Sequence, residues 1–150
     1  MTELLRTSGP LMVRELESGG YEVMEDWWAW WSELPMWEAR LNDGTGAIAA
    51  RKAHLHKGFR FDGGSGPARD AGGMQGYGVH DLVYRLMRQG KLFPVKRWRA
   101  VADLFMYKLH RAAGMSWIRA QWLYRGVRLF AAGHAKQQPI DKESVVKEAV

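Results

Sequence analysis

Residues 21–31 alternate between two sets of side chains, which is the spacing of a β-strand. Trp27 and Trp31 fall on one face, and Trp28 and Trp30 fall on the other. Their aromatic and β-branched neighbours also favour a strand. Because tryptophan occurs on both faces, we do not expect either face to be simply solvent-exposed. We interpret the cluster as packing in a core or an interface.

A turn and a second strand follow this segment. Residues 42–46 read Asn-Asp-Gly-Thr-Gly, a strong turn signal. The strand is predicted over residues 47–56, so that the β-rich region 20–57 forms a hairpin or a small antiparallel sheet. Residues 58–78 are rich in glycine and predict a loop that bends sharply or brings backbone close to another group.

The C-terminal half predicts three helices within residues 79–132. The apolar stripes are Val79, Leu82, Val83 and Leu86 in the first helix, and Trp98, Val101, Ala102, Phe105, Leu109 and Ala112 in the second. Gly90 and Gly114 are placed to end these helices, and Ser116 to cap the third. The third helix is apolar nearly all round, so we expect it to be buried or to meet a partner chain.

Together these elements predict an α+β fold, in which an N-terminal antiparallel β-hairpin or small sheet packs on a C-terminal three-helix unit. The chain has 150 residues, enough for one domain with a real core. We expect that domain to span residues 1–135 and to be followed by a polar tail, residues 136–150.

Cysteine content, hydrophobic runs and net charge limit the classes of protein to which this chain can belong. The chain has no cysteine, which excludes disulfides and thiolate metal sites and favours a cytosolic or particle-bound protein. We find no signal-peptide pattern and no apolar run long enough to span a bilayer. The net charge of +6 attracts phosphate in principle. Its basic residues are spread along apparent helices, which favours solvated helix faces and does not predict nucleic-acid binding.

The candidate catalytic residues begin at the start of the first predicted helix. His80 and Tyr84 are four residues apart and share one side of that helix, at the border of its apolar face. Asp103 flanks the apolar stripe of the second helix in the same way. If the two helices pack antiparallel, Asp103 can reach His80, fix its tautomer and leave the other ring nitrogen as a base. Tyr84 could donate a hydrogen bond to the same carboxylate. His110 and His134 are expected to lie at the surface.

Asp81 has two interpretations. It can form an ordinary ion pair with Arg85, one helical turn away. It can also be an oxygen ligand of calcium, with further ligands from the glycine-rich segment 62–66 that precedes the helix.

The pattern His80-Asp81-x-x-Tyr84, with Asp103 on a second helix and a glycine loop before both, resembles the active site of the phospholipase A2 superfamily. The resemblance implies that His80 is the catalytic base and that Asp103 orients it, with support from Tyr84. It further implies calcium as the cofactor, bound by Asp81 and by the loop at Asp62, Gly63 and Gly64. The disulfide cysteines and the usual calcium-loop sequence of those enzymes are missing.

A second resemblance covers residues 20–131. The motifs are Gly-Phe-Arg-Phe-Asp-Gly-Gly-Ser-Gly-Pro at 58–67, His-Asp-x-x-Tyr at 80–84, Ala-Asp at 102–103 and Tyr-x-x-Val-Arg-x-Phe at 124–130. They resemble an uncharacterised family of short phage and prophage proteins. This implies a tailed-phage product, located in the virion or the host cytoplasm.

Two hypotheses follow from these resemblances. One is a virion or tail-associated calcium-dependent hydrolase that acts on membrane lipid. The other is a purely structural tail or neck assembly protein, which associates with itself or with other phage structural proteins and has no catalytic activity.

Overall fold

The computed structural model describes residues 5–62 and 73–130. Eight strands precede three helices in the described part of the chain, which confirms the predicted α+β arrangement. The strands are β1 (Leu5–Thr7), β2 (Val13–Glu15), β3 (Tyr21–Val23), β4 (Trp27–Trp31), β5 (Ala39–Arg40), β6 (Gly46–Ala49), β7 (Lys52–Leu55) and β8 (Arg60–Phe61). The helices are α1 (Met74–Arg88), α2 (Val95–Ala112) and α3 (Trp117–Phe130).

The strands form two antiparallel sheets. The larger has the order β1-β4-β7-β6-β5 and the smaller has the order β2-β3-β8. The predicted strand over residues 21–31 is therefore two strands, β3 and β4, which belong to different sheets. The predicted strand over residues 47–56 is also two strands, β6 and β7, which pair antiparallel across a turn at Ala50 and Arg51, both with positive φ. Of these, β7 pairs with β4, and Trp28 lies opposite His54.

The alternation of β4 sorts its side chains as the sequence predicts. Trp27, Ala29 and Trp31 are buried, whereas Trp28 and Trp30 are half-buried on the other face. The buried set joins one core with the apolar faces of the helices. Trp31 stacks on Phe105 of α2, with ring centroids 5.0 Å apart.

Helix α1 begins at Met74, five residues earlier than the glycine content predicted. The physical reason is close packing, because glycine lets other groups approach the helix backbone. A Cβ at Gly78 would lie 2.9 Å from Leu55, and one at Gly76 would lie 2.5 Å from His110 Nδ1. The predicted loop 58–78 therefore also contains β8 and the first turn of α1.

The helix ends are formed by residue types that are common at those positions. Gly90 and Gly114, which follow α1 and α2, both have positive φ angles. Ser116 Oγ accepts a hydrogen bond from the Arg119 N–H at 3.3 Å, as expected of a cap for α3. Within residues 5–62 and 73–130, no helix is both long and apolar enough to cross a bilayer. The predicted tail, residues 136–150, lies outside the described residues.

Candidate functional site

Helices α1 and α2 bring His80 and Asp103 together. His80 Nε2 lies 2.7 Å from Asp103 Oδ1. Gly76, one turn earlier on α1, packs against Met106 and His110, which come later on α2, so the helices run antiparallel. The sequence analysis predicted contact between His80 and Asp103 if the two helices pack antiparallel, and this packing is present.

Asp103 is the centre of a buried polar cluster. Its side chain is fully buried. The Tyr84 hydroxyl donates to Asp103 Oδ1 at 2.8 Å, and Arg128 Nη1 donates to Asp103 Oδ2 at 3.0 Å. Both carboxylate oxygens are thus hydrogen-bonded, and the Arg128 charge lies directly beside the carboxylate. A buried carboxylate needs such partners to offset the loss of water.

Tyr84 acts in this cluster as a hydrogen-bond donor. Burial, followed by the charge of Asp103 and the hydrogen bond to it, raises the pKa of the Tyr84 phenol well above its usual value. The phenol therefore keeps its proton at any physiological pH. Its ring also packs on the His80 ring, with centroids 4.2 Å apart, which restricts the orientation of the imidazole.

His80 has one ring nitrogen bound and one available. Its side chain is 15% exposed, so it lies at the rim of the core. When Nε2 donates to Asp103, Nδ1 carries the lone pair and can take up a proton. The chemistry open to this arrangement is general base catalysis, because the carboxylate also stabilises the imidazolium that forms.

Asp81 lies on α1 away from Asp103. Its Oδ2 is 3.0 Å from Arg85 Nη2, the ion pair expected one turn apart, although this buried oxygen accepts no hydrogen bond. Burial raises the pKa of the Asp81 carboxyl; the Arg85 charge opposes this rise and the Asp62 charge adds to it. The Arg85 ion pair is thus present, and it does not fully oppose the rise in the Asp81 pKa that partial burial causes.

The predicted calcium ligands come together only in part. Asp81 and Asp62 are near enough for their charges to interact, and carboxylate oxygens suit calcium. A divalent cation would stabilise a partly buried carboxylate that also feels the charge of a second carboxylate. Gly63 and Gly64 lie outside the described residues. Among residues 5–62 and 73–130, no three His, Cys, Asp or Glu side chains converge as a metal site.

His110 was expected at the surface, and this expectation is wrong. The residue is fully buried on α2, against Gly73 and Gly76, and its ring meets Tyr77 edge-on at 4.8 Å. Neither ring nitrogen has a hydrogen-bond partner. Burial, followed by the charges of His80 and Arg119, lowers the pKa of His110 to about 4. His134, also expected at the surface, lies outside the described residues.

Arg128 is the site residue to which sequence reasoning gave no role. It belongs to the motif Tyr-x-x-Val-Arg-x-Phe in α3, so the signal was present. Helical periodicity alone could not connect it with Asp103, because the two residues lie on different helices.

Comparisons with family models, with curated proteins and with solved structures give no significant match to this chain.

Proposed function

We propose that the protein is a calcium-dependent, phospholipase A2-like ester hydrolase that acts on lipid, carried by a tailed-phage virion. The observation that carries the proposal is the hydrogen bond of 2.7 Å between His80 Nε2 and the fully buried Asp103. Polar groups are costly to bury, and this cluster holds an imidazole in one tautomer with its second nitrogen available. The phage assignment rests on the motif resemblance alone.

In the proposed reaction, His80 Nδ1 removes a proton from water as the water oxygen attacks the ester carbonyl carbon. The ester C–O bond then breaks, and the imidazolium returns its proton to the departing alkoxide. Asp103 stabilises the imidazolium, Tyr84 and Arg128 hold Asp103 in place, and none of the three exchanges a proton with substrate. Asp103, Tyr84 and Arg128 are therefore positioning residues.

Asp81 and Asp62 are the described residues that would hold calcium. The resemblance implies further ligands at Gly63 and Gly64, which lie outside the described residues. A calcium ion held there would supply a Lewis acid for the ester carbonyl. On the protein side, calcium at Asp81 would offset the cost of ionising this partly buried carboxylate, which the Arg85 charge opposes only in part.

The proposal is tested by release of fatty acid from phospholipid vesicles. Wild-type protein is assayed at micromolar concentration with calcium and, in parallel, with a chelator. We expect hydrolysis with calcium and a large loss with the chelator. Complete absence of calcium-dependent hydrolysis on both zwitterionic and anionic vesicles would contradict the proposal.

A second candidate function, structural assembly without catalysis, is favoured by the surface of α3. Four large apolar side chains of this helix are exposed: Trp117 (58%), Ile118 (75%), Trp122 (53%) and Leu129 (73%). Ile118, Trp122 and Leu129 fall on one stripe of the helix. Arg125, which is also exposed, lies on the same stripe between Trp122 and Leu129. Large exposed apolar side chains on one side of a helix are typical of a contact with another chain.

This second function predicts self-association through α3. Light scattering after gel filtration should give an oligomer for the wild-type protein and a monomer for Trp122→Glu. The matched control is Met12→Glu, which changes another exposed apolar residue, 53% accessible, outside α3. A wild-type monomer at every concentration would contradict self-association.

A further inference from the structure

The outer face of the larger sheet carries a compact group of aromatic and basic side chains. The antiparallel register sets Arg6 of β1 opposite Trp30 of β4, and Trp30 opposite Lys52 of β7. Trp30 therefore lies between two cations in one row across the sheet. Trp28 projects from the same face two residues earlier on β4.

These side chains enclose a surface cavity. Arg6, Trp28, Trp30 and Lys52 line a volume of about 320 Å³. Lys52 Nζ lies 4.3 Å from the centroid of the Trp28 ring, so this cation–π pair forms one wall. Trp30 and Lys52 are half-buried and Arg6 is exposed, which leaves the group accessible from solvent.

The chemistry of this cavity is cationic and aromatic. None of the four lining residues is acidic. Flat aromatic rings flanked by lysine and arginine are the combination with which proteins bind single-stranded nucleic acid: bases stack on the rings, and the cations meet the phosphates. A sugar site would instead need carboxylate or amide groups beside the rings, and a site for duplex phosphates would not need the rings.

We infer that this face of the sheet binds single-stranded nucleic acid. A base stacks on Trp30, Arg6 and Lys52 contact the phosphates on either side, and the Trp28–Lys52 pair forms the wall of the base pocket. Sequence reasoning did not predict nucleic-acid binding because the basic residues are scattered along the helices. The cations used here come from strands, and only the register of the sheet brings them beside the tryptophans.

The inference is tested by fluorescence anisotropy with labelled oligothymidylate at low salt. Trp30→Ala should weaken binding by roughly tenfold or more, the usual effect of removing one stacking platform. Trp37→Ala, at an exposed tryptophan that does not line this cavity, should bind as the wild type does. A plot of the logarithm of the association constant against the logarithm of the salt concentration gives a slope, and Lys52→Gln should make this slope shallower by about 0.7. Lys91→Gln, at an exposed lysine away from the cavity, should leave the slope unchanged.

Three results would overturn the inference: no binding by wild-type protein at low salt, equal binding of a duplex, or unchanged binding by Trp30→Ala. Because Trp30 is half-buried, the thermal melt of Trp30→Ala is measured alongside. The double variant Arg6→Glu, Lys52→Glu leaves both tryptophans in place and should abolish binding while it stays folded. Binding that survives in this folded variant would also overturn the inference.

Discussion

At the scale of single residues, Asp103 determines how the cluster is held. It is fully buried, and its two oxygens accept hydrogen bonds from Tyr84 and Arg128 and face His80 Nε2. Removing one partner of such a buried charged group leaves the others desolvated and unpaired, which costs more than the intact pair contributes. Asp103 therefore matters for stability as well as for the orientation of His80.

We expect Asp103→Asn to lower the free energy of unfolding by about 3 kcal/mol, because the Arg128 charge loses its partner. Hydrolysis should fall roughly a hundredfold or more, since the imidazole is no longer fixed in its active tautomer. Urea unfolding and the vesicle assay measure the two effects. The control is Asp26→Asn, at a carboxylate that is 75% exposed and 3.8 Å from His56, where little change is expected. Full activity in a folded Asp103→Asn protein would contradict the role of Asp103.

Asp81 differs from Asp103 because its ionised form is unfavourable in the folded chain. Burial raises its pKa, despite the nearby Arg85, so the ionised carboxylate is less favourable in the folded chain than in the unfolded one. At any pH above the ordinary aspartate value, Asp81 therefore subtracts from stability. Calcium at this carboxylate would offset the cost.

Without calcium, Asp81→Asn should therefore raise the melting temperature, because the amide removes a partly buried charge whose ionisation is unfavourable in the folded chain. Calcium should raise the melting temperature of the wild type and leave that of Asp81→Asn unchanged. Differential scanning fluorimetry in chelator and in calcium measures both. Glu38→Gln, at an exposed ion pair with Arg40, is the control. An equal calcium shift in wild type and Asp81→Asn would exclude Asp81 as a ligand.

At the scale of elements, the crossing of α1 and α2 positions the site. Gly73 and Gly76 leave room for His110, so the helices approach closely at the end of the crossing next to His80. His110 fills that space without any hydrogen bond to its ring nitrogens. Because burial lowers its pKa to about 4, His110 is a neutral imidazole in the folded protein at neutral pH.

This burial predicts a specific pH dependence of stability. Between pH 6.5, the ordinary histidine value, and about 4, the unfolded chain takes up a proton at residue 110 before the folded chain does. Stability should therefore fall as the pH falls through this window, by about 3 kcal/mol from His110 alone. His110→Leu should lose that part of the slope, which urea unfolding at several pH values would detect. Parallel curves for wild type and His110→Leu would contradict the prediction.

Helix positions in the site were predictable, and contacts between helices were predictable only in part. The spacing of His80 and Tyr84 is local, so periodicity alone placed them on one side of α1. The start of α1 was predicted too late, since glycine is normally unfavourable in helices and only packing against His110 and Leu55 explains it here. The burial of His110 depends on the same packing and leaves no local signal.

At the scale of the whole molecule, two sheets and three helices share one core. The α+β class was predictable because alternation and helical periodicity separate the two halves of the chain. The division of residues 21–31 between two sheets was not predictable, because one alternating pattern runs through both β3 and β4. The contact of Arg128 with Asp103 depends on how α3 packs against α2, which no local pattern records.

The most direct test of the proposed activity compares two histidine variants in the vesicle assay with calcium. His80→Ala removes the proposed base, whereas His56→Ala removes another histidine that also lies near a carboxylate, Asp26. We predict that His80→Ala loses activity by roughly a hundredfold to ten-thousandfold while His56→Ala keeps wild-type activity. If folded His80→Ala protein hydrolyses phospholipid as fast as His56→Ala, His80 is not the catalytic base.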